Sequence, residues 1–227
     1  MTAYAHGCLI VIDGGDGSGK TEQTTMLVER LRKERMPVGT LSFPRYDTPT
    51  GALVKSYLDG ALGDPTKVPA REASMLYAYD RWAAFCEGAF DELGDGAYLI
   101  LNRYVASNMG HQGSKFEDPT ERAEFFRWND RLEHEFFGIP RPNVNVILHV
   151  PAEVSIGLIK NRGRAMDGHE NLAHLKRAEE TYLEMARTFP NFVLVECVDE
   201  DGRLKSIPEI HELIWGHVGH LCGRMGA

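Results

Sequence analysis

The sequence predicts an α/β fold, with about five parallel strands flanked by helices. Two observations carry that prediction. Short, nearly continuous apolar runs alternate along the chain with longer segments of helical period. The first apolar run also passes through a glycine-rich turn straight into an amphipathic segment. Runs of that kind are what strands show when both faces of a parallel sheet are covered.

The expected strands are 8–13, 38–43, 97–102, 144–150 and 192–197. Between them the spacing predicts helices over 20–35, 70–93, 121–137, 152–160, 173–189 and 208–221. In 20–35, Leu27, Val28 and Leu31 share one face opposite a charged one. The 70–93 segment is apolar enough to be largely buried. One stretch, 161–171, is rich in glycine and charge and is expected to be a small mobile lid on a single domain spanning 1–227. In such sheets ligands sit beyond the carboxyl ends of the strands, so residues just after each strand are the ones to read.

Composition narrows the function classes. The 227 residues are 43% hydrophobic and 26% charged, ordinary globular values that exclude fibrous and disordered architectures. A formal net charge of −8 argues against a nucleic-acid surface, which needs a basic face. No apolar run is long enough to span a bilayer and no secretory signal pattern opens the chain, so no membrane role is expected. The four cysteines, Cys8, Cys86, Cys197 and Cys222, are widely spaced, as incidental thiols of a reducing cytoplasm are. An acidic chain that binds anions must gather its cations locally.

The first such place is Gly14-Gly15-Asp16-Gly17-Ser18-Gly19-Lys20-Thr21, which fits GxxxxGK[ST] between a strand and a helix. Its glycines let successive N–H groups face inward, and the helix N-terminus adds a positive dipole end. Lys20 is expected at the β- and γ-phosphates of ATP and the Thr21 hydroxyl on Mg²⁺. Asp16 is a carboxylate inside an anion cradle, suited to an acceptor sugar hydroxyl or to metal-bound water; the plain alternative is a turn residue. Phe43-Pro44-Arg45-Tyr46 follows the second strand and Arg103 the third, both at the ligand edge. Tyr77 and Arg81 lie four apart on a helix, as do Asn108 and Gln112 in their own segment. An aromatic ring beside a guanidinium suits a nucleobase, and side-chain amides suit its edge, although packing alone also accounts for such pairs. Lys160, Arg162 and Arg164 stand at the mouth of the expected lid. A basic flap closing over phosphates would stabilise charge and expel water.

Taken in order, these motifs resemble the thymidylate kinase family over most of the chain, up to about Tyr182. The run from Ile12 to Thr21 looks like that family's P-loop. Phe43-Pro44-Arg45-Tyr46, followed by Thr48 and Gly51, is similar to its acceptor-phosphate motif. Asp80-Arg81, the stretch Arg103 to Asn108, Gln112-Gly113, and Arg162-Gly163-Arg164 with Asp167 and Glu170 continue the order. The resemblance implies transfer of the ATP γ-phosphoryl group to dTMP with Mg²⁺. It implies that Asp16 binds the 3′-hydroxyl, Arg45 and Arg103 the acceptor phosphate, and Tyr77 the thymine face, while Arg81, Asn108 and Gln112 read its edge. With Gly17 bare, the lid would provide the catalytic arginine, Arg162 or Arg164. A homodimer is also implied, packing long helices, with Trp82 and Phe85 contributing. Two positions depart from the family pattern: Asn102 where Asp is usual, and His111 where Tyr is usual. Kinases of another monophosphate, and a nucleotide-binding protein of low turnover, remain open alternatives.

Overall fold

The computed structural model describes residues 7–160 and 171–222, the side chain of Cys222 excepted. The expected lid lies outside the described residues apart from Asn171, and Arg162 and Arg164 lie outside them with it. Five strands are present: β1 (Cys8–Gly14), β2 (Val38–Ser42), β3 (Tyr98–Asn102), β4 (Val144–His149) and β5 (Phe192–Glu196). They form one sheet in the order β2-β3-β1-β4-β5, and every pairing is parallel. Each lies within one residue of its expected bounds. The inner strands β1, β3 and β4 were legible because neither face meets solvent. Leu9 and Val11 point into one apolar layer with Phe90, Tyr104 and Phe125, while Ile10 and Ile12 point into the other with Leu27, Leu31 and Ile214.

Eight α-helices surround the sheet among the described residues: α1 (Lys20–Lys33), α2 (Pro49–Leu58), α3 (Ala70–Cys86), α4 (Val105–Gly113), α5 (Pro119–Asp130), α6 (Ala152–Lys160), α7 (Leu172–Thr188) and α8 (Ile207–Cys222). Two of these, α2 and α4, have no counterpart in the helices read from the sequence. The α2 helix starts where Thr48 accepts from the Gly51 N–H and Pro49 opens the first turn. Two expected helices are shorter than their periodicity implied. The 70–93 segment stops at Cys86, because Gly88 takes φ 81° and the chain re-enters only a 3₁₀ turn at Asp91–Leu93. The 121–137 segment divides into α5, capped by the Asp118 carboxylate, and a π-helical turn at Arg131–Phe136.

Strand order sets where a ligand can lie. With β1 central, between β3 and β4, the chain diverges to either side at the carboxyl end of β1. The loops after β1, β2 and β3 therefore open onto the same edge, and Ile12 and Ser42 are both in register with Asn102.

Candidate active site

The cradle is built as the motif requires. Gly14, Gly17 and Gly19 take φ of 137°, 85° and 82°, which L side chains rarely adopt. Gly19 caps α1 without a side-chain hydrogen bond, so no side chain covers the first-turn N–H groups at the cap. Lys20 is buried, its ammonium donating to the Gly14 and Gly15 carbonyls at 3.1 and 2.6 Å and to Ser18 Oγ at 3.4 Å. A Cβ at Gly17 would lie 3.0 Å from the Ser155 carbonyl of α6. The loop thus has no room for a side chain at that position.

Beside the cradle lies a cavity of about 340 Å³, in the range of small-ligand sites. Asp16, Arg103, Phe43, Pro44, Tyr77, Arg81, Asn108, His111 and Gln112 are among the residues that line it. Most of the residues expected to meet an acceptor nucleotide are therefore brought together. The Asp16 carboxylate pairs with the Arg103 guanidinium across the junction of cradle and cavity. Burial alone would raise the Asp16 carboxyl, but the charges of Arg103, His111 and Lys20 hold it well below the usual range, so it is an anion. Arg103 sits at φ 66°, a conformation costing a non-glycine residue about 1 kcal/mol. Its N–H bonds to the Ile12 carbonyl at 3.0 Å while its Nη1 reaches Ser107 Oγ and His111 Nε2.

Two expected residues are placed differently. Arg45 does not line the cavity. Its Nε donates to Asp80 Oδ1 at 3.2 Å, its Nη1 to Glu87 at 2.5 Å and its Nη2 to the Asp80 carbonyl at 3.2 Å. The physical reason is Asp80, a carboxylate with a side chain only 1% exposed, which needs a counter-charge. Gly51 lets α2 close over this corner: a Cβ there would fall 1.9 Å from the Arg45 carbonyl oxygen. Arg81 does line the cavity, but half of its fork is taken. Nε and Nη2 bind the two oxygens of buried Glu133 at 2.5 and 2.7 Å.

Tyr77 meets Tyr57 edge-on at 6.1 Å, and both polar atoms of the Gln112 amide are buried with no hydrogen-bond partner among the described residues. Asn108 donates from Nδ2 to Ser74, Asn129 and Glu133, leaving a buried Oδ1 with no protein partner among the described residues.

Sequence reading missed Asn129 and Glu133, and gave no role to Asp80 as the partner of Arg45 or to Asp13 as a brace. The Asp13 carboxylate accepts from the Gly14 N–H, Ser107 Oγ, Tyr182 Oη and the Tyr104 N–H, tying β1 to α4 and α7. One signal existed: Asp80-Arg81 puts two charges in the uncharged run from Ala73 to Cys86, and buried charges need partners.

Mg²⁺ fits the residues present. Asn102 Nδ2 lies 3.3 Å from Thr21 Oγ1, and its buried Oδ1 has no protein partner among the described residues, an acceptor open to a metal-bound water. The described residues hold no cluster of three His, Cys, Asp or Glu side chains suited to an all-protein metal site.

A phosphate cradle on a parallel sheet, sharing an Asp–Arg pair with a base-sized cavity, defines a phosphotransferase of the P-loop nucleotide-kinase class. The thymidylate kinase family model matches residues 12–203. A thymidylate kinase of Mycobacterium tuberculosis is 32% identical over 191 residues, 78% of this chain and 85% of the relative. A probable thymidylate kinase of Pyrococcus horikoshii is 27% identical over 215 residues, 94% of this chain and 97% of the relative. The solved structure of the Candida albicans thymidylate kinase superposes with a TM-score of 0.73 at 23% identity, covering 96% of this chain and 93% of that one, which supports the fold. The chain belongs to the thymidylate kinase family.

Proposed function

We propose that this chain catalyses ATP + dTMP → ADP + dTDP, with roles distributed as follows. The P-loop N–H groups and Lys20 hold the ATP phosphates, and Thr21 with Asn102 holds hydrated Mg²⁺. Bound there, the metal would supply positive charge that offsets the charge of the phosphates. Arg103 meets the dTMP phosphate, Asp16 accepts from the 3′-hydroxyl, Tyr77 and Phe43 sandwich the base, and Arg81, Asn108 and Gln112 read its edge. An oxygen of the dTMP phosphate bonds to the γ-phosphorus as its bond to the ADP oxygen breaks. The work of the chain is positioning and charge stabilisation. Arg162 or Arg164 supplies the transition-state cation, a role the bare Gly17 cannot fill. Arg45 supports the acceptor site through Asp80 and gains the phosphate itself only by releasing Glu87.

The observation that carries this reading is the Asp16–Arg103 pair, which belongs at once to the cradle and to the base-sized cavity. Two nucleotides bound on either side of it would meet phosphate to phosphate. No helix among the described residues is long and apolar enough to cross a membrane. With the acidic charge, this supports a cytoplasmic enzyme of small nucleotides. Exposed Met75 and Tyr79 on α3, with Tyr79 stacked on Trp82, support a homodimer through that helix. The test is Lys20→Ala. Turnover should be nearly abolished while dTMP binding and thermal stability persist; undiminished turnover in the folded variant would remove the P-loop from the mechanism.

A further inference from the structure

Two residues that line the cavity, Arg81 and Asn108, are held by a charged group that does not itself line it and that the reaction does not use. Glu133 stands on the π-helical turn at Arg131–Phe136 and is fully buried. π-Turns are rare and gather at functional sites. Glu133 gathers four donors: Arg81 Nε on Oε2, and Arg81 Nη2, Asn108 Nδ2 and Asn129 Nδ2 on Oε1, at 2.5, 2.7, 3.2 and 3.3 Å. An apolar pair of similar volume would serve stability as well as a buried ion pair does, so the carboxylate needs another explanation.

Its effect is to fix the polarity of the cavity wall. A carboxylate only accepts, so it draws the –NH₂ ends of both amides towards itself. Asn129, held that way, offers its Oδ1 to Asn108 Nδ2 at 3.0 Å. Every partner at that end of Asn108, including the Ser74 carbonyl at 3.2 Å, is then an acceptor. The amide cannot turn round without setting oxygen against oxygen. Asn108 therefore presents an acceptor to the cavity, the buried Oδ1 with no protein partner, and the guanidinium of Arg81 presents a donor beside it.

We infer that Glu133 is the positioning residue that makes this site select a nucleobase edge with N–H beside C=O, as in thymine and uracil, over the reversed edge of cytosine. The inference rests on the proposed acceptor site and adds the residue that sets its selectivity. A cytosine there faces Asn108 Oδ1 with its unprotonated N3 and Arg81 with its amino group, so both polar pairs fail. Neither Arg81 nor Asn108 has to change for selectivity to change; only the group that orients them does.

The experiment measures equilibrium binding of dTMP, dUMP and dCMP to the full chain, to Glu133→Gln and to Glu133→Asp. Thermal unfolding is recorded for each protein. Glu133→Gln keeps the shape and can donate, so Asn129 can turn with it and the Ser74 carbonyl is left as the one fixed acceptor holding Asn108 in its present sense; Glu133→Asp keeps the buried counter-charge, and with it the fold, but shortens the reach to the amides. The parent should bind dTMP and dUMP more tightly than dCMP. In the variants that preference should shrink by about tenfold to a hundredfold, the worth of one or two buried polar mismatches. The KM for dTMP should rise while kcat at saturation falls far less, because orientation of the base is lost and the phosphate geometry is not. Folded variants that keep the parent's dTMP-to-dCMP ratio would overturn the inference. A parent that binds no dTMP would instead overturn the proposed acceptor, which the variants alone cannot do.

Discussion

Arg45→Ala should destabilise the protein before it says anything about catalysis. The substitution strips Asp80, whose side chain is 1% exposed, of a guanidinium contact at 3.2 Å. Removing one partner of a buried ion pair costs about 3–5 kcal/mol. The lower end applies here, because the Arg45 N–H and Thr50 Oγ1 still donate to Asp80 at 2.8 and 2.7 Å. The contact with Glu87, whose side chain is 59% exposed, adds little, since exposed pairs contribute about 0–1 kcal/mol. In a chain of this size about 3 kcal/mol lowers Tm by roughly 6–12 °C. Calorimetry on both proteins in the same buffer measures it. A second change at Asp80, Asp80→Asn, should restore part of the loss, because the uncompensated charge goes with it. Arg45→Lys keeps the charge without the fork; it should raise the dTMP KM with the ATP KM little altered. A Tm within about 1 °C of the parent for Arg45→Ala would refute the reasoning, since Asp80 would then need no counter-charge.

Further outcomes follow from the same geometry. Asn102→Asp should raise kcat/KM at low Mg²⁺, because a carboxylate beside Thr21 strengthens the hold on metal-bound water, and charged hydrogen bonds are about twice as strong as neutral ones. Superimposable Mg²⁺ titrations would show position 102 to be merely structural. Of Arg162→Ala and Arg164→Ala, at least one should lower kcat by about 10³-fold or more with nucleotide affinity kept, as arginine fingers do; two variants with parental turnover would remove the lid from catalysis. His149 should give stability a pH dependence. Burial lowers its pKa, but hydrogen bonds to Glu179 and Glu196, at 2.9 and 2.5 Å, outweigh burial and raise it. The folded state then holds this proton more tightly than the unfolded one. The stabilisation is full below the ordinary histidine value and lost as pH rises through the raised one, so Tm should fall over that window and His149→Gln should flatten the fall.

The sequence exposed what depends on local pattern. The three inner strands showed themselves because both faces are covered, and the cradle because phosphate binding demands glycines and a lysine at fixed spacing. Asp16, Tyr77, Arg81, Arg103, Asn108 and Gln112 were singled out by their places beyond strand ends and by four-residue spacing, while their roles came from the family resemblance. The partners of these residues were hidden because they come from distant segments: Glu133 is 52 residues from Arg81, and Asp80 is 35 from Arg45. Pairing of that kind leaves no periodicity. The left-handed backbone at Arg103 was equally invisible, since nothing in Asn102-Arg103-Tyr104 marks a positive φ. The α4 helix escaped because its glycines lower helix propensity, whereas in the fold Gly110 is where Tyr182 packs, with ring atoms as close as 2.5 Å to a built Cβ.

ADP release at fixed Mg²⁺ and ATP, measured over dTMP, dUMP, dCMP, dAMP and dGMP, tests the account most directly. It predicts the highest kcat/KM with dTMP and dTDP as the product. Preference for another monophosphate, or no release above the ATP-only rate with any of them, would contradict it.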